Sequence, residues 1–183
     1  VRDMKQHDLR ENIGYVPQKG LLFSGTIGTN LQYGREDATL AEMTDAAETA
    51  QAMEFINEKE NGFDEEVSQG GTNVSGGQKQ RLSIARALVK KPKVYIFDDS
   101  FSALDFRTDK ALREALSEKV GDSTIIIVAQ RINTIIDADQ IIVLEEGRIA
   151  GRGTHEELLA NCSVYKEIAL SQLSEKELER GRA

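Results

Sequence analysis

The sequence predicts an α/β fold with a mainly parallel sheet, and three observations carry that expectation. Short, continuously apolar runs, Ile13-Gly14-Tyr15-Val16, Val94-Tyr95-Ile96-Phe97 and Thr124-Ile125-Ile126-Ile127-Val128-Ala129, have the composition of fully buried strands. Between the first two, apolar residues keep helical spacing at Leu40, Met43, Ala47, Ala50 and Met53. Two capping-box sequences, Ser75-Gly76-Gly77-Gln78 and Thr154-His155-Glu156-Glu157, mark helix starts. Strands alternating with helices pack as helices over a sheet.

The elements follow in order. Pro17 ends the first strand, and Gly20, Gly25 and Gly28 punctuate the loop after it. The helical spacing predicts one helix from Thr39 to about Asn57, with Asp37 as its cap. Residues 61–64 and 68–71 are loop composition, and the helix opened by Ser75 should run to Lys90 or Lys91, ahead of Pro92. After the strand at 94–97, a helix starts at Ser102 or Asp105 and continues to about Val120. Following the 124–129 strand, Ile141 to Ala150 reads as strand, turn, strand, with the turn at Glu145-Glu146-Gly147-Arg148. The helix begun at Thr154 turns Leu158 and Leu159 inward, and the charged tail 174–183 reads as a frayed helix. There are no internal repeats or low-complexity tracts. The first eight residues carry no cap and no initiator methionine, so the chain reads as starting mid-domain.

Composition narrows the function. At 183 residues, 39% hydrophobic and 30% charged, the chain has the makeup of an ordinary globular domain rather than a disordered one. A net charge of -8, from 23 Lys plus Arg against 31 Asp plus Glu, disfavours nucleic acid as a partner, because neutralising phosphates needs clustered cations. The single cysteine, Cys162, rules out an internal disulfide or a multi-cysteine metal site and reads as a small, partly buried residue. The longest apolar stretch, residues 125–129, is too short to span a bilayer, and the N-terminus shows no signal-peptide pattern.

The chemistry is concentrated in a few residues. Ser75, Gly76 and Gly77 open a helix, where orphan backbone N–H groups and the helix dipole favour an anion such as phosphate. An apolar strand ending in Asp98 and Asp99 is a common way to hold Mg²⁺ beside a phosphate. The Gly-x-x-x-x-Gly-Lys-Ser/Thr loop that grips a nucleotide's phosphates occurs nowhere in the sequence. Gly151-Arg152-Gly153-Thr154 is discounted as a dinucleotide loop, because it follows a hairpin and lacks a third glycine.

Taken in order, Gln18, Ser75-Gly76-Gly77-Gln78, Asp98, Ser102-Ala103-Leu104-Asp105 and the 126–132 segment resemble the nucleotide-binding domain of an ATP-binding cassette (ABC) transporter of exporter type. The similarity runs from about Arg10 to Leu159. It implies a P-loop NTPase (RecA-like) core lacking its N-terminal part, with an inserted α-helical subdomain that carries the signature motif. Residues 1–36 and 92–173 would be the remnant of the core, residues about 37–91 the helical subdomain, and 174–183 a tail. By the same resemblance the missing phosphate loop and an adenine-stacking aromatic lie before Val1, so the isolated segment should bind ATP weakly or not at all.

The resemblance also assigns roles. Ser75, Gly76, Gly77 and Gln78 match the signature, which touches the γ-phosphate of a nucleotide held by the partner subunit. Asp98 matches the Walker B aspartate that holds Mg²⁺, and Gln18 the glutamine that contacts metal and water in a loop facing the membrane domain. Residues 65–71 resemble the pre-signature loop that also meets that domain, with Gln69 where many relatives have Glu. Asp105 matches a loop crossing the dimer interface. The implied cofactors are ATP and Mg²⁺. The implied partners are a second nucleotide-binding domain and a membrane domain preceding this segment, at the cytoplasmic face of the cell membrane.

Two positions depart from the family pattern. Asp99 stands where the catalytic glutamate is expected, one methylene shorter, and a misplaced base forfeits much of a typical ~10² to 10⁴ rate contribution. Gln130 stands in Val128-Ala129-Gln130-Arg131 where the family has histidine; it can donate a hydrogen bond but cannot carry the charge or shuttle the proton. Both belong to the composite site that would use this subunit's own phosphate loop, whereas the intact signature serves the opposite site. That partition predicts a heterodimeric exporter with one impaired ATP site. The alternative is a soluble, non-transport ABC ATPase or a non-catalytic regulatory cassette. Phe23-Ser24-Gly25-Thr26-Ile27-Gly28-Thr29-Asn30-Leu31 resembles the exporter loop and argues against it.

Overall fold

Three strands, β1 (Ile13–Val16), β4 (Val94–Asp98) and β5 (Thr124–Val128), form a parallel sheet in the order β1-β4-β5 in the computed structural model, which describes residues 2–173. The register pairs Tyr15 with Ile96 and Ile96 with Ile126, so those three side chains share one face. Val16, Tyr95 and Phe97 lie on the opposite face and are fully buried. Composition predicted a strand at 94–97 covered on both faces. Instead burial alternates along β4, and on the other face Tyr15, Ile126 and Val128 are exposed.

Helix α5 (Gly76–Val89) opens as predicted at Ser75, in a reciprocal capping box with Gln78, and is capped at its far end by Lys90. It packs with α2 (Ile27–Gln32) and α3 (Leu40–Thr49) into a core that includes Ile27, Leu31, Ala47, Leu82, Ile84 and Phe97. A two-residue antiparallel pairing of β2 (Gly25–Thr26) with β3 (Glu66–Val67) ties the loop after β1 to the stretch before α5.

The single helix predicted over 39–57 is two: α3, then α4 (Met53–Asn57). Thr39 rather than Asp37 is the cap, because Thr39 and Glu42 form a capping box. The break is a Schellman turn. Gln51 sits at φ 56, its N–H donates to the Glu48 carbonyl at 2.9 Å, and the Ala52 N–H donates to the Ala47 carbonyl at 2.7 Å. Of the two starts foreseen for the next helix, Asp105 is the cap, and α6 runs Phe106–Lys119. The first helix, α1 (Gln6–Glu11), was not foreseen.

The chain divides into two compact units, Val1–Val128 and Ala129–Ala183. In the second, after the short α7 (Ile132–Ile135), strands β6 (Ile141–Glu145) and β7 (Arg148–Gly153) form the predicted hairpin. The helix predicted from Thr154 is α8 (His155–Asn161), capped by a box with Glu157. It ends at Cys162, and α9 (Ser163–Gln172) follows. Leu158 is buried, as are Tyr165, Ala169 and Cys162, which fits the structural reading of the cysteine; Leu159 packs only partly buried against this core. The predicted tail helix lies outside the described residues.

Candidate nucleotide site

The loop after β1, the end of β4 and the start of α5 supply the residues that the sequence singled out in the first unit. Asp98 is the last residue of β4, and its carboxylate accepts a 2.8 Å hydrogen bond from the Tyr15 hydroxyl of β1. That bond, with the carboxylate's charge, pushes the Tyr15 phenol above its ordinary value. Asp99 follows with φ 45, a left-handed conformation that aspartate tolerates better than most residues. Its N–H donates to the Val128 carbonyl at 2.9 Å, and its own carbonyl accepts from the Ser102 hydroxyl at 2.8 Å. The Gln18 side-chain amide donates to Asp99 Oδ2 at 3.0 Å. Gln18, Asp98 and Asp99 are therefore gathered at one end of the parallel sheet.

The loop holding Gln18 is fixed from below by a residue that motif reading missed. Gln80, 1% exposed on α5, donates from Nε2 to the Pro17 carbonyl at 3.1 Å and accepts the Gly20 N–H on Oε1 at 2.8 Å. Its signal was available in the sequence: it occupies the apolar stripe shared with Ile84 and Leu88, where a polar residue needs a partner.

At the start of α5, Ser75 Oγ accepts the Gln78 N–H at 3.2 Å, and Gln78 Oε1 accepts the Ser75 N–H at 2.9 Å. The cap thus uses both of those donors. The N–H groups of Gly76 and Gly77, in the first turn, have no acceptor within the helix. A Cβ at Gly76 would meet no heavy atom within 4 Å, and one at Gly77 would lie 3.6 Å from the Ala103 carbonyl, so the 102–105 loop borders this helix start. Asp105 caps α6 by accepting the N–H groups of Arg107 and Thr108, each at 3.1 Å. The Thr108 hydroxyl bond, 2.6 Å long, holds the Asp105 carboxyl below its ordinary value.

Asn73, two residues before Ser75 and part of the same run, is a second group to which motif reading gave no role. Its amide nitrogen donates to the Glu66 carbonyl at 2.8 Å, and its oxygen accepts from the Ser68 N–H at 3.0 Å and the Ser68 hydroxyl at 2.9 Å. It staples the pre-signature loop to the helix start. Gln130 lies in the second unit, where its backbone carbonyl accepts from the Gln172 side chain at 2.8 Å.

Fold and motif order define a P-loop NTPase-type protein, and the comparisons with known proteins make the class specific. The family model for ABC transporters matches residues 1–102, and the chain belongs to that family. It is 50% identical over 172 residues to the Bacillus subtilis protein named "Uncharacterized ABC transporter ATP-binding protein YfiB", covering 94% of this chain and 30% of that protein. It is 43% identical over 172 residues to human "ATP-binding cassette sub-family B member 5", covering 94% of this chain and 14% of that protein. The structure matches that of a bacterial Atm1-family ABC exporter with ATP bound at a TM-score of 0.90 and 40% identity, over 96% of this chain and 31% of that one. The fold is the α/β P-loop NTPase type expected, of the exporter kind. The chain spans about 30% of the length of the first curated relatives it matches.

The donor set suits the metal that such a family implies. Among the described residues no group of three His, Cys, Asp or Glu side chains could cage a metal ion. One carboxylate at Asp98, with the Gln18 amide held against the adjacent Asp99, would suit Mg²⁺, whose remaining positions go to water and nucleotide oxygens. Among the described residues no helix is long and apolar enough to cross a membrane.

Proposed function

We infer that this chain is the C-terminal part of a nucleotide-binding domain that helps power export across a membrane, at the cytoplasmic face, and that it pairs with a different cassette subunit. ATP and Mg²⁺ are its cofactors, and a membrane domain preceding the segment is its mechanical partner. Residues 1–36 and 92–173 form its core and residues about 37–91 its helical subdomain. Ser75, Gly76 and Gly77 present donors to the γ-phosphate of nucleotide held by the partner, with Gln78 holding the cap in shape and Asp105 anchoring the loop at the interface. Asp98 and Gln18 hold Mg²⁺ for the chain's own nucleotide. Held there, Mg²⁺ would supply charge neutralisation for the phosphate. Asp99 and Gln130, in the positions of the water-activating glutamate and the switch histidine, make that second site slow. The 183-residue segment alone neither holds nor hydrolyses ATP well, since its sequence lacks the phosphate loop.

The observation that carries this reading is the division between an intact helix start and altered catalytic positions. Gly76 is open to approach, while Asp99 is drawn to Gln18. The test is ATP hydrolysis by the full-length polypeptide carrying this segment, alone and mixed with the cassette protein encoded beside it. Turnover is expected only in the mixture, and it should vanish when the partner's glutamate after Walker B becomes glutamine. A fully active homodimer would sink the heterodimer, as would a partner that also lacks that glutamate.

A further inference from the structure

The resemblance gives no role to Tyr15, yet its hydroxyl is the group that fixes Asp98. Tyr15 lies on β1 opposite Ile96, two residues before Asp98 on β4 and on the same face of the sheet. From there its hydroxyl reaches the Asp98 carboxylate at 2.8 Å, while the residue remains 54% exposed. Its hydrogen bond lands on one oxygen of the carboxylate assigned to the metal.

We propose that Tyr15 is a positioning residue for Mg²⁺: its hydroxyl bonds Asp98 Oδ2 and orients the carboxylate that would hold the metal. The proposal rests on the reading of Asp98 as the metal carboxylate. A hydrogen bond to a ligating carboxylate restricts its rotamers before the ion arrives, and loss of such outer partners typically lowers metal affinity about 10–100-fold. Mg²⁺ is held by few protein ligands, so the orientation of each one counts. Phenylalanine at position 15 keeps the ring and removes only the hydroxyl.

The experiment uses the full-length polypeptide with a non-hydrolysable ATP analogue and Mn²⁺ as the probe, free Mn²⁺ being counted by its paramagnetic resonance signal. Tyr15→Phe is expected to raise the Mn²⁺ dissociation constant about tenfold, towards the low end of the range for outer-partner loss. Binding of the analogue in EDTA, which needs no metal, should stay unchanged, and so should the circular dichroism spectrum. Asp98→Asn, run in parallel, should remove the tight Mn²⁺ altogether. Unchanged Mn²⁺ affinity in Tyr15→Phe, alongside loss in Asp98→Asn, overturns the role of Tyr15 and leaves the metal site standing. Unchanged affinity in Asp98→Asn overturns the metal reading itself. Weaker metal-free nucleotide binding or a disturbed fold in Tyr15→Phe also overturns the proposal, since the hydroxyl would then be serving structure or nucleotide rather than metal.

Discussion

Gln80 shows how a single buried amide can govern a loop it does not belong to. Its two hydrogen bonds reach Pro17 and Gly20, on either side of Gln18, and its side chain is closed to water. Gln80→Leu keeps much of the volume but leaves the Pro17 carbonyl and the Gly20 N–H without these partners, a loss of about 1–3 kcal/mol for a buried unsatisfied group. Gly20 cannot simply move inward, because even a Cβ there would lie 2.8 Å from the Lys79 carbonyl. The expected result is a lower urea midpoint with an unchanged slope, and faster amide exchange confined to the Gln18 loop. Faster exchange across all of α5 would show instead that Gln80 serves the helix and not the loop.

At the scale of elements, the junction of α8 and α9 carries a pH dependence. His155, 4% exposed, meets the Tyr165 hydroxyl through Nδ1 at 2.7 Å, and its Nε2 is buried without a hydrogen-bond partner. Burial lowers the His155 pKa against the opposing pull of Glu156 and Asp137, and it pushes the Tyr165 hydroxyl up to about 12. The unfolded chain therefore takes up a proton before the folded one does. The neutral ring's contribution is complete above the unfolded value near 6.5 and is lost as pH falls from there towards the lower folded value. Thermal unfolding followed at pH 7.5 and 5.5 should show a lower midpoint at pH 5.5, and His155→Gln should reduce that difference. An equal pH response in the variant would assign it to other groups. The start of α8 was legible from sequence because a capping box is complete within four residues, as at Ser75, although the same box at Thr39 was passed over for Asp37. The end of α3 was not, because its left-handed residue is Gln51 rather than glycine or asparagine, and apolar spacing continues past it. Composition likewise made β4 a strand but could not say which face was covered. Motif residues were legible by type and order, and the apolar stripe flagged Gln80, but the partners of Tyr15 and Gln80 lie 83 and at least 60 residues away, where no local pattern points.

At the scale of the whole molecule, the proposed function, in which the chain completes its partner's site while running a slow site of its own, predicts an unequal response to damage at Gly76 and at Asp99. Gly76 and Asp99 give the sharpest contrast. An aspartate at Gly76 meets no steric obstacle, since nothing lies within 4 Å of the added Cβ. In the first turn of α5 its charge favours the helix by about 0.3–1 kcal/mol. The fold should therefore hold or gain slightly in Gly76→Asp, with a thermal midpoint no lower than before. The same carboxylate occupies the place of the γ-phosphate and repels it, so hydrolysis by the paired subunits should fall about 10²-fold or more, the scale of losing a preorganised donor. On the proposed reading Asp99 is already too short to activate water, so Asp99→Asn should change the same assay by no more than about twofold. Both variants are measured as steady-state phosphate release by the assembled transporter. The opposite ranking, with Asp99→Asn silencing turnover and Gly76→Asp tolerated, would place the working site on this chain's own carboxylates and remove the case for an unequal pair.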